Sequence, residues 1–142
     1  MAIRVIAGVL VALVVGFLLF RDDAQPRVTI DGHTFSVTIA DEGDAWAQGL
    51  SGRSGLAKDE GMLFVFPNAA ERDFWMKDMQ FAIDIVWLRD GIVRGITRNA
   101  QPQPGVLESE LLQYPSPGTV DAVLEVAAGE AAGIVVGDVV VY

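Results

Sequence analysis

The chain contains no cysteine and a single histidine, His33, among 142 residues. The missing cysteines remove disulfide frameworks, thiolate zinc centres and cysteine nucleophiles. One histidine rules out a multi-histidine metal site and leaves a serine triad only that residue for its base. No metal and no cofactor are expected. Cationic side chains are scarce too: 10 Lys and Arg stand against 19 Asp and Glu, for a formal net charge of −9. Arg4 and Arg21 flank an apolar segment, so the remainder sets eight basic groups against all 19 acidic ones. Such a surface repels a phosphate backbone, whose binding depends on cationic side chains releasing counterions, and it repels anionic lipid heads. Nucleic acid is therefore not an expected partner; a cationic or neutral one is easier to accommodate. Repeats, low-complexity segments and strict βαβ alternation are likewise missing, which argues against a doubly wound sheet.

What is present begins with a long apolar run. Val5 to Phe20 carries no charged or strongly polar side chain, and Met1 to Phe20 has only Arg4. Twenty helical residues at about 1.5 Å each match a hydrocarbon core of about 30 Å. The run is apolar on every face, unlike the one-sided stripe of a buried core helix. Residues 1–21 are expected to be a membrane anchor or signal segment. Arg4 and the α-amino group mark the N-terminal side as positive, whereas Asp22 and Asp23 follow Arg21 at once. The positive-inside bias then places the N-terminus in the cytoplasm and the domain on the extracytoplasmic side, single-pass in the cell membrane. A cleaved secretory signal is the alternative, giving a secreted protein. It is disfavoured because Phe17 to Asp23 offers no small-x-small cleavage site.

Residues 22–27 read as a short linker with Pro26, and 28–142 as one exported domain of ordinary size. Val28 to Ile30 and Thr34 to Ile39 flank Asp31-Gly32, a favoured hairpin turn. Asp41 to Leu50 has helical spacing and an acidic first turn, weakened by Gly43 and Gly49. Met62 to Phe66 is a buried-strand run expected to stop at Pro67-Asn68. Phe74 to Met76 is extended; Ile83 to Leu88 and Ile92 to Thr97 flank a second turn, Arg89-Asp90-Gly91. Asn99 to Gly105 reads as loop, Leu107 to Leu112 as one or two helical turns, and Ala122 to Val126 as a strand. Gly129 to Gly133 forms a turn, and Val139 to Tyr142 is the closing strand. The expected fold is α+β and β-rich: a small antiparallel sheet curled toward a barrel, one or two short helices, and a preceding transmembrane helix.

Several residues carry potential chemistry. In an extended stretch side chains alternate, so within Arg72 to Asp78 the pair Phe74 and Met76 shares one face while Trp75 and Lys77 share the other. An aromatic plate beside an ammonium, joined by Arg53, suits a small anionic or planar ligand; the plainer reading makes both aromatics core. Asp84 stands between Ile83 and Ile85, where a carboxylate needs partners. It is either an acid or base with a burial-shifted pKa or a residue on the wet face of a half-buried strand. Asp78 with Asp84 is a weaker paired-carboxylate candidate. Asp41, Glu42 and Asp44 lack the EF-hand pattern and suit a helix N-terminus. His33 follows a turn and is expected to be exposed. Gly49 to Gly55 lacks the lysine and helix start of a phosphate loop.

From Gly49 onward the chain resembles a bacterial and archaeal family called domain of unknown function 192. The resemblance rests on Gly49-Leu50 with Arg53, Gly61-Met62-Leu63-Phe64-Val65-Phe66, Phe74-Trp75-Met76-Lys77 and Ile83-Asp84-Ile85. It continues through Val123-Leu124-Glu125-Val126, Ala128-Gly129 and Gly133 to Asp138. Asp78 and Met79 stand where the family often has asparagine and threonine. The resemblance implies a compact β-rich fold, frequently behind a signal or anchor, and no established activity. Three functional readings follow. The first is a membrane-anchored module binding a small molecule or an envelope protein through Arg53, Trp75, Lys77 and Asp84. The second is a hydrolase or lyase using Asp84 with Lys77. The third is a structural accessory of a membrane complex.

Overall fold

The computed structural model describes residues 24–142. The apolar segment over 1–21 and its expected transmembrane helix lie outside the described residues, among which no helix is long and apolar enough to cross a membrane. The first two strands, β1 (Arg27–Ile30) and β2 (His33–Ala40), form the expected hairpin. Asp31 and Gly32 at its turn both have positive φ, 46° and 78°, the geometry that an Asp-Gly pair adopts at low cost. A short helix, α1 (Gly43–Gln48), follows with Asp44 in its first turn. Next come β3 (Glu60–Ala70), β4 (Asp73–Phe74), β5 (Ile83–Arg89) and β6 (Ile92–Ala100). The turn between β5 and β6 again pairs two positive-φ residues, Asp90 and Gly91. A single 3-10 turn at Glu108–Glu110, β7 (Tyr114–Pro115), β8 (Val120–Ala127) and β9 (Val140–Val141) complete the chain.

Seven strands make one curled sheet in the order β6-β5-β8-β3-β2-β1-β9, and β4 pairs with β7 apart from it. A bridge between Ile92 and Val139 brings the sheet's two ends together. Three backbone bonds lace this seam: Val140 N–H to the Gly91 carbonyl (2.8 Å), Gly137 N–H to Val93 (2.9 Å) and Val93 N–H to Asp138 (3.0 Å). Over the described residues the fold is thus β-rich and curled toward a barrel, with one short α-helix.

Two expectations need correction. The sheet is mixed, because β2 and β3 run parallel. A parallel neighbour cannot be reached by a tight turn, so residues 41–59, including α1, carry the chain across. Also, β3 does not stop at Pro67-Asn68 but runs to Ala70. Its register against β8 shifts between Val65 and Ala70, and that irregularity accommodates a residue with no N–H to give the ladder.

Apolar residues bury both faces of the central strands. Alternate positions Leu63, Val86, Leu88, Leu124 and Val126 point into the curl with Phe35 and Ile30. The other parity, with Met62, Phe64, Ile85, Trp87 and Val123, forms a second core on the outer face, capped by Leu50 and Met76. Burial on both sides explains why these strands read as near-continuous hydrophobic runs. Gly61 permits the close approach of β3 to β8, since a Cβ there would lie 2.6 Å from the Glu125 carbonyl oxygen.

Trp87 anchors the outer core. It is 1% exposed, its Nε1 donates to Thr97 Oγ1 at 3.0 Å, and Phe74 packs against it edge-on. Trp87→Ala is expected to cost about 3–5 kcal/mol, read as a lower urea midpoint at unchanged m-value. A change within error would show that the outer core contributes little.

Candidate functional site

The outer core opens beside α1. Between α1, the outer face of β3 and the β4 region lies a cavity of about 240 Å³. Trp46, Phe64, Phe66, Phe74 and Trp75 wall it, Arg72 and Asp73 supply its charged lining, and Glu125 of β8 reaches it from the sheet. Local bonding fixes the walls. Trp46 Nε1 donates to the Ala40 and Val65 carbonyls at 3.0 and 3.2 Å, pinning a six-residue helix whose N-terminus has no side-chain cap. Its ring lies 5.4 Å from that of Phe66. Phe64 and Phe74 meet edge to face at 5.0 Å, a favoured arrangement of aromatic quadrupoles.

Arg72 lies flat on this wall. Its Cζ is 4.1 Å from the Phe66 ring centroid, and one terminal nitrogen donates to the Asn68 carbonyl at 3.0 Å. Its Nε is buried and has no hydrogen-bond partner among the described residues. The Arg72 backbone exchanges bonds with Ser116, which docks β4 against β7.

Glu125 is the most unusual group of the site. It is only 5% exposed, between Met62 of β3 and Ile85 of β5, and its side chain has no hydrogen-bond partner among the described residues. Burial pushes its carboxyl up to about 8, because water no longer stabilises the charged form. At neutral pH it is mostly a neutral acid, able both to donate and to accept a hydrogen bond. A perturbed acid in an aromatic concavity is the usual mark of a ligand site.

The four residues singled out from sequence divide. Trp75 and Lys77 do share one outward face, with Phe74 and Met76 turned to the core, as alternation requires. Trp75 lines the cavity, and the Lys77 ammonium lies 5.6 Å from its ring centroid. Lys77 itself pairs with Glu108 at 2.7 Å, and that carboxylate raises its pKa. Arg53 is half-buried beside this segment, where Gly52 N–H bonds the Asp78 carbonyl and Ser51 Oγ bonds that of Lys77.

Asp84 belongs elsewhere. It has the parity of Val86 and Leu88, which face the inside of the curl, opposite to the cavity. Its Oδ1 accepts the Asn99 N–H at 2.8 Å, and its Oδ2 accepts those of Gly129 and Ala131 at 2.9 and 3.2 Å. Neither the wet-face reading nor a pairing with Lys77 describes this arrangement: Asp84 is 2% exposed and committed to backbone donors. Arg98 clamps the same turn, donating to the Ala131 and Ile134 carbonyls at 2.8 and 2.9 Å. Asp78 sits in a turn with φ of 54° and forms no carboxylate pair with Asp84.

One set of metal-type donors converges among the described residues: His33, Asp59 and Glu130, within 4.8 Å of one another. His33 is exposed, as expected. Its Nε2 lies 2.9 Å from Asp59 Oδ1, and Glu130 accepts the Asp59 N–H at 3.3 Å. These contacts tie the first hairpin and the turn after β8 to the start of β3.

Sequence reasoning missed Trp46, Phe66, Arg72 and Glu125 as members of one site. Glu125 carried a usable signal, being a charge inside the apolar run Val123 to Val126, the same signal that drew attention to Asp84.

Two solved structures resemble this fold closely. One is a protein of unknown function from Novosphingobium aromaticivorans DSM 12444, 30% identical, with a TM-score of 0.75, covering 86% of this chain and 89% of its own. The other, from Sinorhizobium meliloti 1021, is described as a candidate transcription regulator; it is 30% identical with a TM-score of 0.72, covering 81% of this chain and 91% of its own. No curated protein matches. The family described as domain of unknown function 192, "Uncharacterized ACR", matches residues 26–142, and the chain belongs to that family.

Proposed function

We propose that this domain is a non-catalytic binding module that takes a small molecule into the aromatic cavity, held outside the cytoplasm by the N-terminal apolar segment. One observation carries the reading: a preformed concavity of about 240 Å³ encloses a carboxyl that has no protein partner among the described residues. A carboxyl that opens onto a cavity and is held by no described side chain keeps its hydrogen-bonding capacity for a ligand. The volume lies below the ~300–1,000 Å³ usual for drug-sized ligands, so the ligand is the size of an amino-acid side chain. A role in binding nucleic acid, which the description of the Sinorhizobium relative invites, is disfavoured by the formal charge of −9.

Trp75, 39% exposed at the cavity, can be removed with little harm to the core. Side-chain-sized amines, alcohols and carboxylates titrated against the domain should quench tryptophan emission for the class that binds. Trp75→Ala should weaken that binding by about tenfold or more, the usual effect of losing an aromatic anchor, with an unchanged circular dichroism spectrum. Equal affinity in the variant would sink the cavity reading. The address has its own test: the full-length chain should stay in the membrane pellet after a high-salt wash, and release into the soluble fraction at full length would overturn it.

A second reading, an accessory subunit of a membrane complex, draws on Val135, Val136, Val139, Val141 and Tyr142, all more than half exposed near the C-terminus. Val136→Asp with Val139→Asp would then release the chain from a complex isolated in mild detergent, without affecting the cavity.

A further inference from the structure

We propose that the ligand of the cavity carries a primary ammonium group that seats against the Glu125 carboxylate. The inference deepens the binding-module reading and rests on it. Glu125 is buried, lines the cavity and is bonded to no described side chain, so its hydrogen-bonding capacity is free for a ligand. No cationic side chain is paired with it. From α1 the lining is Trp46, Ala47 and Gln48; from β3 it is Phe64 and Phe66; its cross-strand neighbours are Met62 and Ile85; none is charged. The two charged lining groups are Arg72 and Asp73. The Arg72 guanidinium is spread on the Phe66 ring and held by Asn68, and no ion pair joins it to Glu125. The missing cation is what an amine would bring.

The walls favour the same chemistry. Aromatic faces attract cations, and the chain already uses them so at two places, Arg72 on Phe66 and Lys77 on Trp75. The domain's negative charge concentrates cations around it and repels an anion that would have to approach a buried carboxyl.

Binding also moves a proton. In the free protein the neutral acid dominates below pH of about 8. When the protonated amine enters, the neutral carboxyl of Glu125 gives its proton to the buffer and becomes a carboxylate. The ligand keeps all its own protons, so the bound state is a carboxylate–ammonium ion pair and one proton appears in solution. Affinity therefore rises with pH until Glu125 ionises on its own, and falls only when the amine deprotonates, near ~10 for an alkylamine.

Three probes on one frame test this by titration calorimetry: 2-phenylethylamine, 2-phenylethanol and phenylacetate. The amine should bind at least tenfold tighter than the alcohol at pH 7. Its affinity should rise nearly tenfold per unit from pH 5.5 to 7.5. Runs in buffers of different ionisation enthalpy should show one proton released per amine. Glu125→Gln should abolish both the proton release and the preference for the amine. If the alcohol or phenylacetate binds as tightly as the amine, or if Glu125→Gln keeps the preference, the ammonium inference is overturned while the cavity stands as a binding site. If none of the three binds, both readings fail together.

Discussion

At pH 8, Glu125→Gln is expected to be more stable than the wild-type domain by on the order of 4 kcal/mol, a gap that should shrink to about 1 kcal/mol at pH 5. The reason is linkage. In the unfolded chain Glu125 loses its proton near its ordinary value of 4.5, whereas in the folded chain it holds it to about 8. Between those values the native state binds more protons than the unfolded state, so stability falls as pH rises. The sign is opposite to that of the usual paired carboxylate, which adds stability as pH rises. A glutamine has the same shape and no charge to lose, so it should flatten this decline. Urea midpoints at half-unit intervals from pH 5 to 8.5 would display the difference. Parallel wild-type and variant curves would mean that Glu125 ionises in the folded state as it does in water, and the cavity would lose its neutral acid.

Asp84→Ala should be the most damaging single change to the curl, costing about 3–5 kcal/mol. One carboxylate satisfies three backbone donors, Asn99, Gly129 and Ala131. Hydrogen bonds to a charged acceptor are worth about 1.5–3 kcal/mol each, and buried donors left without partners add their desolvation penalty. The expected total lies below the plain sum, because water can enter the vacated space and rebind some donors. Asp84→Asn should be milder, since one oxygen remains to serve part of the set. Amide hydrogen exchange should show lost protection at Asn99, Gly129 and Ala131 in the alanine variant before it appears elsewhere. A midpoint unchanged from wild type would deny Asp84 its structural role and reopen a chemical one.

These two acids also show how far the amino-acid order can be read. Both stand inside apolar runs, and a charge in such a run announces that something must compensate it. The kind of compensation is set by residues far along the chain. Asp84 finds backbone donors from a turn 45 and 47 positions away, whereas Glu125 finds none. Local chemistry was legible wherever it sufficed: both Asp-Gly turns, the alternation of Phe74, Trp75, Met76 and Lys77, and the short helix after Asp41. The parallel pairing of β2 with β3 was not, because it depends on the route of a crossover rather than on any turn signal. Nor was the cavity, whose walls come from α1, β3 and β4 and meet only when the outer core assembles. Residues that mark the family divide in the same way: Asp84 and Gly129 hold a turn to a strand, while Trp75 and Glu125 line the cavity.

The seam between β1 and β9 sets an order on synthesis. Thr29 and Ile30, early among the described residues, pair with Val141 and Val140, which are made much later. Until β9 has been made, β1 has a bare flank, and the curl has no lock between Ile92 and Val139. An unpaired strand edge is a template for neighbouring chains, and contacts between distant positions form slowly. The nascent sheet thus stays open until β9 emerges to shut it.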